Sequence, residues 1–460
     1  MPDSLDPDQL QSRLGDLLAE HRVPGAVLGV LYKGEVTEVA AGVANLNIGL
    51  ETTTETVFQI GSIGKSWTAT VIMTLVDEGS LDLDVAVQTY LPEFRVADSD
   101  VSSKITLRHL LSHTSGIDGD HFLDTGRGDD CLERYVESCA GLGQTHSLGA
   151  TMSYCNTGYS VAGRIIEVID GKVWDQAMRD RLFDPLGFNH TSTLAEEAIL
   201  ERVALGHVSL KPDDSPFVAP VWTLPRSCGP MGIPNSTVGD VLEFARMHLQ
   251  GGTGRREKQI LSPASVKTMQ EPQIEIPDPH SLGSHWGVGW ILFDWNGRRL
   301  YGHDGNTLGQ ASFLRIAPDA DLAITLLTNL SSAIQVYRAL FSEILSDLAD
   351  ITMPPQPALP ETPLELDLSK YAGTYERLAV RIELNVDDSR LAGTVTLSGA
   401  LANLVPNPVT KITLTPVDTT TFLALGEDSP TPSPAVFYGF EEGVPRFLHT
   451  GARAHPRASN

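Results

Sequence analysis

The sequence predicts an α/β (α+β) fold, an antiparallel sheet flanked by helices and joined to a helical lobe, followed by a small all-β barrel. Three observations predict it. Extended runs crowd the beginning and the end of the first 350 residues, with mostly helical patterns between them, so one sheet is assembled from both ends of that segment. A proline cluster, Pro354, Pro355, Pro357, Pro360 and Pro363, then reads as a stiff extended linker. Beyond it, short alternating stretches broken by turn residues fit a barrel or sandwich. The expected organisation is a large domain over residues 1–350, a linker over 351–367 and a barrel over 368–460.

In chain order, Leu5, Leu10, Leu14, Leu17 and Leu18 share a helical face that begins after Asp6-Pro7. The β-rich runs from Ala26 to Tyr32 and from Glu35 to Ala41 meet at Lys33-Gly34, which predicts a hairpin. Val57 to Ile60 is a short extended piece. The helix after Ser62 carries Trp67, Val71, Ile72, Leu75 and Val76, ends at Gly79 and is apolar enough to be central. Ile105 to Gly116 reads as a short helix with a glycine exit, and further helices are expected over 158–170, 175–186 and 236–249. Asn296-Gly297 between the β-rich runs Gly287 to Phe293 and Arg299 to Gly302 is a strong hairpin signal. Strands over 311–316 and 322–328 and a helix over 334–348 complete the large domain. In the tail, strands are expected over 379–386, 390–397, 422–425 and 445–449.

Composition narrows the functional classes. Charged residues make up 20% and hydrophobic ones 41% of the 460, as in a soluble globular protein. With 33 basic against 58 acidic side chains the formal charge is −25, which repels nucleic acid and anionic lipid, so neither is expected as a partner. The run Met1-Pro2-Asp3-Ser4 and the acids after it stand where a signal peptide needs base, and no apolar run reaches the roughly 18 residues of a membrane span. A cytoplasmic location is the expectation. Four cysteines without metal-ligand spacing are too few for a disulfide framework, although Cys131 and Cys139 are close enough in sequence for a local bridge.

Three stretches carry chemistry. In Ser62-Ile63-Gly64-Lys65 the side chains of Ser62 and Lys65 share one face of a helix N-terminus, which puts an amine beside a hydroxyl. Serine needs a base to remove its proton, and backbone N–H groups at a helix start can stabilise an oxyanion. Alone, the pattern reads more simply as a helix cap beside a solvated lysine. In Tyr154-Cys155-Asn156 two polar side chains two apart can face one cavity, Tyr154 to carry protons and Asn156 to bind a carbonyl, while Cys155 reads as buried filler. In Gly302-His303-Asp304-Gly305-Asn306 an imidazole lies on a strand beside glycines such as Gly305 that let a ligand approach the backbone. His109 and His113 have the four-residue spacing of a zinc helix, but no glutamate follows His109, so packing or capping is the expected role.

Together these stretches resemble the serine β-lactamase and penicillin-binding-protein superfamily, whose Ser-x-x-Lys, Tyr-x-Asn and Lys-Thr-Gly or His-x-Gly motifs line one cleft. Pro24-Gly25-Ala26, Leu110 to Gly116 and Pro185-Leu186-Gly187-Phe188 look like landmarks of its class C-like branch, so the resemblance covers roughly residues 10 to 350. It implies that Ser62 is acylated, that Lys65 and Tyr154 share acid and base work, and that Asn156 orients the substrate carbonyl. It also implies an oxyanion hole from the N–H groups of Ser62 and Asn306, with His303 where many β-lactamases have lysine. The His-x-Gly form is similar to that of the esterase and D-aminopeptidase branches, which turns the expectation away from β-lactams. Leu368 to Tyr375 looks like the start of the lipocalin-like barrel that some members carry, and Arg446 within it is a candidate for gripping a substrate carboxylate. The implied function is a serine hydrolase or acyltransferase that passes an acyl group from an ester or peptide mainly to water. Two alternatives stand beside it: a penicillin-binding-protein-type thioesterase that macrocyclises nonribosomal peptides, and an inactive ligand-binding protein of the same fold. The expected partner is a small-molecule or peptide substrate, with no cofactor and no metal, and the sequence leaves a homo-oligomer open.

Overall fold

The computed structural model describes residues 5–209, 214–255, 257–362, 364–402, 407–427 and 431–458. Met1 to Ser4 and Pro363 of the expected linker lie outside the described residues. Asp6 caps the first helix, Pro7–Glu20, by accepting from the N–H of Asp8 at 3.0 Å, with Pro7 at the position where a missing N–H costs nothing. The Lys33-Gly34 turn has φ of 49° and 86°, the left-handed pair that a tight hairpin requires.

Nine antiparallel strands form the large sheet, in the order 50–51, 35–45, 25–32, 322–328, 311–317, 298–306, 291–295, 285–286 and 274–275. The N-terminal hairpin therefore pairs with the last strand of the domain, Val27 opposite Leu327, so the sheet joins both chain ends as the sequence predicts. Along Gly25–Tyr32, Val27 and Leu31 enter one core while Ala26, Leu28 and Val30 enter the other. Burial on both faces explains why this strand reads as an unbroken apolar run.

Helices Pro7–Glu20 and Ile334–Ala349 cover one face. The other carries Val238–Leu249, capped by Thr237, and the helix Ile63–Asp77, which is buried from Ile63 to Leu75. Trp67 anchors that helix against Phe183, Phe188 and Phe244, with ring centroids 5.3–5.7 Å away. Trp174–Leu186 is helical with a π turn at Arg179–Phe183, where Pro185 supplies no N–H and crowds the carbonyl four residues back. Two expectations shift in extent. The helix read over 105–116 is only Leu107–Leu111, because His113 takes φ of 58°, and the extended run read from Gly287 begins at Ile291, because Gly289 takes φ of 77° against the central helix.

Among the described residues of the tail, eight antiparallel strands follow in sequence order from Gly373–Arg377 to Arg453–Pro456. A bridge between Tyr375 and Arg457 and the bond from Ala458 N–H to Thr374 O, 2.8 Å, nearly close the barrel around Tyr371, Tyr375, Phe422 and Phe437. All four cysteines are free and buried, and no described helix is long and apolar enough to cross a membrane.

Candidate active site

Ser62 begins the buried helix just after Gly61, whose φ of 53° turns the chain out of the short strand Phe58–Gln59. Its hydroxyl makes no capping bond; it accepts from Lys65 Nζ at 3.1 Å. Lys65 is 0% exposed, and its second bond runs to the Met231 carbonyl. Burial, with the charge of Arg453 adding to it, pushes the Lys65 ammonium well below the usual lysine range. Burial that favours the free amine makes a lysine a better base at neutral pH than a solvated one.

Tyr154 closes the other side of Ser62. Burial raises its phenol above the usual range, opposed by a hydrogen bond with Ser62 and by the charge of Arg453. Lys65 Nζ lies 4.9 Å from the Tyr154 ring centroid. Behind the ring, His113 stacks at 4.3 Å and accepts the Cys155 N–H on Nδ1 at 3.0 Å, while its carbonyl takes the Ser153 N–H at 3.0 Å. The left-handed backbone at His113 is thus what lets one residue hold the tyrosine loop at two points. His109, by contrast, caps its own helix by accepting the Thr106 N–H at 3.2 Å.

Asn156 opens the helix Asn156–Asp170 and donates from Nδ2 to Asp120 at 3.0 Å. His303 is 1% exposed and donates from Nδ1 to the Asp304 carbonyl at 2.7 Å, so its Nε2, buried without a partner, is an acceptor. Burial and the nearby Lys65 push it down to about 3, which keeps it neutral. Its ring centroid stands 6.3 Å from that of Tyr154. Arg315, 3% exposed, forks onto Asp304 at 2.6 and 3.0 Å and stiffens this strand. A Cβ on Gly61 would sit 2.7 Å from the Asn306 nitrogen, so that nitrogen lies against the residue before Ser62.

Strand and serine turn approach so closely that a Cβ on Gly305 would stand 2.0 Å from the Ile60 carbonyl oxygen and 2.4 Å from Ser312 Oγ. Backbone cannot yield as a flexible side chain does. Gly305→Ala is expected to lower stability by about 1–3 kcal/mol and to displace the Asn306 N–H. Thermal melts read the first effect and the NMR shift of the Asn306 amide reads the second.

The family model described as Beta-lactamase matches residues 10–347. The chain belongs to the beta-lactamase family. Penicillin-binding protein 4 of Amycolatopsis lactamdurans is 48% identical over 369 residues, spanning 80% of this chain and 97% of that protein. Unguisins hydrolase ungD' of Aspergillus campestris is 25% identical over 319 residues, 67% of this chain and 58% of its own. Among solved structures, SurE with D-Leu superposes with a TM-score of 0.77 at 26% identity, covering 98% of this chain and 99% of its own. That match includes the barrel.

Within this beta-lactamase-family fold, Ser62, Lys65 and Tyr154 meet directly, with His303 and Asn306 beside them. Arg446 does not join this group: its side chain is 57% exposed, donates to Glu441 at 2.7 Å and lines an open groove of about 1470 Å³ between the barrel and the 98–104 and 144–150 segments. The arginine at the site is Arg453, whose guanidinium carbon lies 4.9 Å from the Tyr154 ring centroid. Sequence reading missed Arg453, Arg377 and the residue that binds both, Asp120. The acids of Asp118-Gly119-Asp120, so soon after the Gly116 exit, were the only local signal.

Asp120 yields a pH prediction. Burial alone would raise its carboxyl, but the charges of Arg453 and Arg377 and the bonds from Arg453 and Asn156 hold it at about 2. Its folded value lies below that of an unfolded aspartate, so its contribution to stability is complete above about pH 4 and is lost as pH falls towards 2. The difference in Tm between the wild type and Asp120→Asn should shrink across that window. A constant difference would mean that the carboxylate charge is not what holds the segment.

Proposed function

We propose that this beta-lactamase-family protein is a serine acyl-transfer enzyme that forms an acyl-Ser62 intermediate on an ester or amide and passes the acyl group mainly to water. The observation that carries the reading is the buried Lys65, whose Nζ stands 3.1 Å from a Ser62 hydroxyl that no helix cap consumes. Ser62 Oγ attacks the carbonyl carbon as Lys65 Nζ takes its proton. The carbonyl oxygen becomes an oxyanion held by the N–H groups of Ser62 and Asn306. Collapse expels the alcohol or amine, which takes a proton from Tyr154, and the proton that Lys65 took from Ser62 restores Tyr154. Water then enters on the same side and the steps run in reverse, freeing the acid.

Asn156 orients the substrate carbonyl, with one amide hydrogen committed to Asp120. Neutral His303 offers Nε2 as an acceptor. A relative matched over both domains was solved with D-Leu, and we therefore include D-configured aminoacyl groups in the substrate class.

The test is turnover of p-nitrophenyl acetate and of aminoacyl p-nitroanilides of both configurations. A burst of p-nitrophenolate followed by steady hydrolysis supports the reading, and release no faster than in buffer overturns it. Adding an amine acceptor separates hydrolysis from aminolysis. If amide dominates over acid, the acceptor assignment changes while acylation stands.

A further inference from the structure

Around Tyr154 the barrel touches the large domain directly. Its last hairpin turn presses on the tyrosine loop: the Ala452 carbonyl accepts the Tyr154 N–H at 2.9 Å, and the Ala454 N–H donates to Ser153 Oγ at 3.2 Å. Asp120, with a side chain 6% exposed, receives Arg453 Nε on Oδ2 at 3.0 Å and Nη2 on Oδ1 at 2.9 Å. Arg377, from the first barrel strand, reaches Oδ2 at 3.0 Å, and Asn156 Nδ2 reaches Oδ1. One buried carboxylate thus ties two barrel arginines to a residue of the Tyr-x-Asn motif.

We infer that Asp120, gripped by Arg377 and Arg453, is a positioning residue for acyl transfer at Ser62, and that the catalytic site is complete only with the barrel docked. The inference rests on the acyl-transfer reading above.

Two consequences follow from the geometry. A carboxylate only accepts, so Asn156 must give its nitrogen to Asp120 and turn its oxygen elsewhere. Without Asp120 the amide is free to flip, and the cleft loses a defined acceptor. Secondly, the two guanidiniums share Asp120, with the Asp118 carboxyl also in their field, and the positive charge of Arg453 lies against the face of Tyr154. Lys65 feels that charge. The other groups packed around the amine are Tyr154, Tyr159, His113, His303, Cys155 and Cys228, and each is held neutral by burial. Arg453 favours the free amine and Asp120 opposes it, so removing either charge moves Lys65 in a known direction.

The experiment measures Ser62 acylation by a fluorophosphonate across pH in the full chain, comparing wild type with Asp120→Asn, Arg453→Gln and Arg453→Lys. We expect Asp120→Asn and Arg453→Gln each to slow acylation about tenfold or more, as loss of a coupled positioning contact does. The acid limb of the profile should move to higher pH in Arg453→Gln and to lower pH in Asp120→Asn. Arg453→Lys, which keeps the charge but loses the fork, should leave the limb in place while lowering the rate.

Wild-type rates with an unmoved limb in folded variants would overturn the inference and leave the acyl-transfer reading intact. A loss of rate that merely tracks the unfolded fraction, with the limb unmoved, would also overturn it, since a purely structural clasp behaves so. If Asp120→Asn does not fold, the two Arg453 variants decide by the same criteria. No adduct even in the wild type would remove the acyl-transfer reading itself, and the inference with it.

Discussion

Ser62→Ala is expected to lower kcat/KM for an activated ester by at least about 10⁴-fold while leaving the melting temperature within a few degrees of the wild type. The hydroxyl contributes little to folding, because it caps nothing and Ser62 is only half-buried. In the proposed mechanism its loss removes the attacking atom. Residual turnover would reflect binding and the oxyanion donors alone. Steady-state kinetics with a thermal melt on the same preparation checks both halves of the expectation, and a variant retaining a tenth of wild-type activity would mean that another atom attacks.

The second large effect is at Lys65. Lys65→Met keeps the length and apolar stem of the side chain while removing the amine, and kcat/KM is expected to fall roughly 10³–10⁴-fold. Stability should move the other way. The folded protein holds this lysine well below its unfolded value, so the unfolded chain binds the proton more tightly and burial of Lys65 costs stability. That cost shrinks as pH rises towards the ordinary lysine value of about 10.4, and methionine removes it altogether. The variant should therefore melt higher than the wild type at pH 7 and by a smaller margin at alkaline pH. Equal melting curves at both pH values would show that Lys65 is charged in the fold.

How much of this was legible in the sequence depended on distance along the chain. Ser62 and Lys65 are one helical turn apart, so their meeting follows from local geometry, and Tyr154 with Asn156 sits on a loop entering a helix that its apolar stripe revealed. The sheet was legible for a similar reason, since the strands 25–32, 311–317 and 322–328 are buried on both faces and show as apolar runs. Asp120 and Arg453 are 333 positions apart, and nothing local marks either for the other.

Arg446 and Arg453 lie on adjoining barrel strands, and the sequence offered no means of choosing between them. The hairpin that separates the two strands turns at Gly451 and Ala452, with φ of 56° and 68°, and alanine is a poor marker for a left-handed turn. The last strand, Arg453–Pro456, therefore carried no hairpin signal, and its arginine was not seen to face the large domain. Arg446 finds its partner in Glu441 across the preceding turn, a contact that keeps it outside.

The measurement that bears most directly on the central claim is the intact mass of the full chain after exposure to a fluorophosphonate, followed by peptide mapping, in the wild type and in Ser62→Ala. One phosphonyl adduct per wild-type chain is expected, confined to the peptide containing Ser62, and none in the variant. An unmodified wild type, or an adduct that persists in Ser62→Ala on another residue, would contradict that claim.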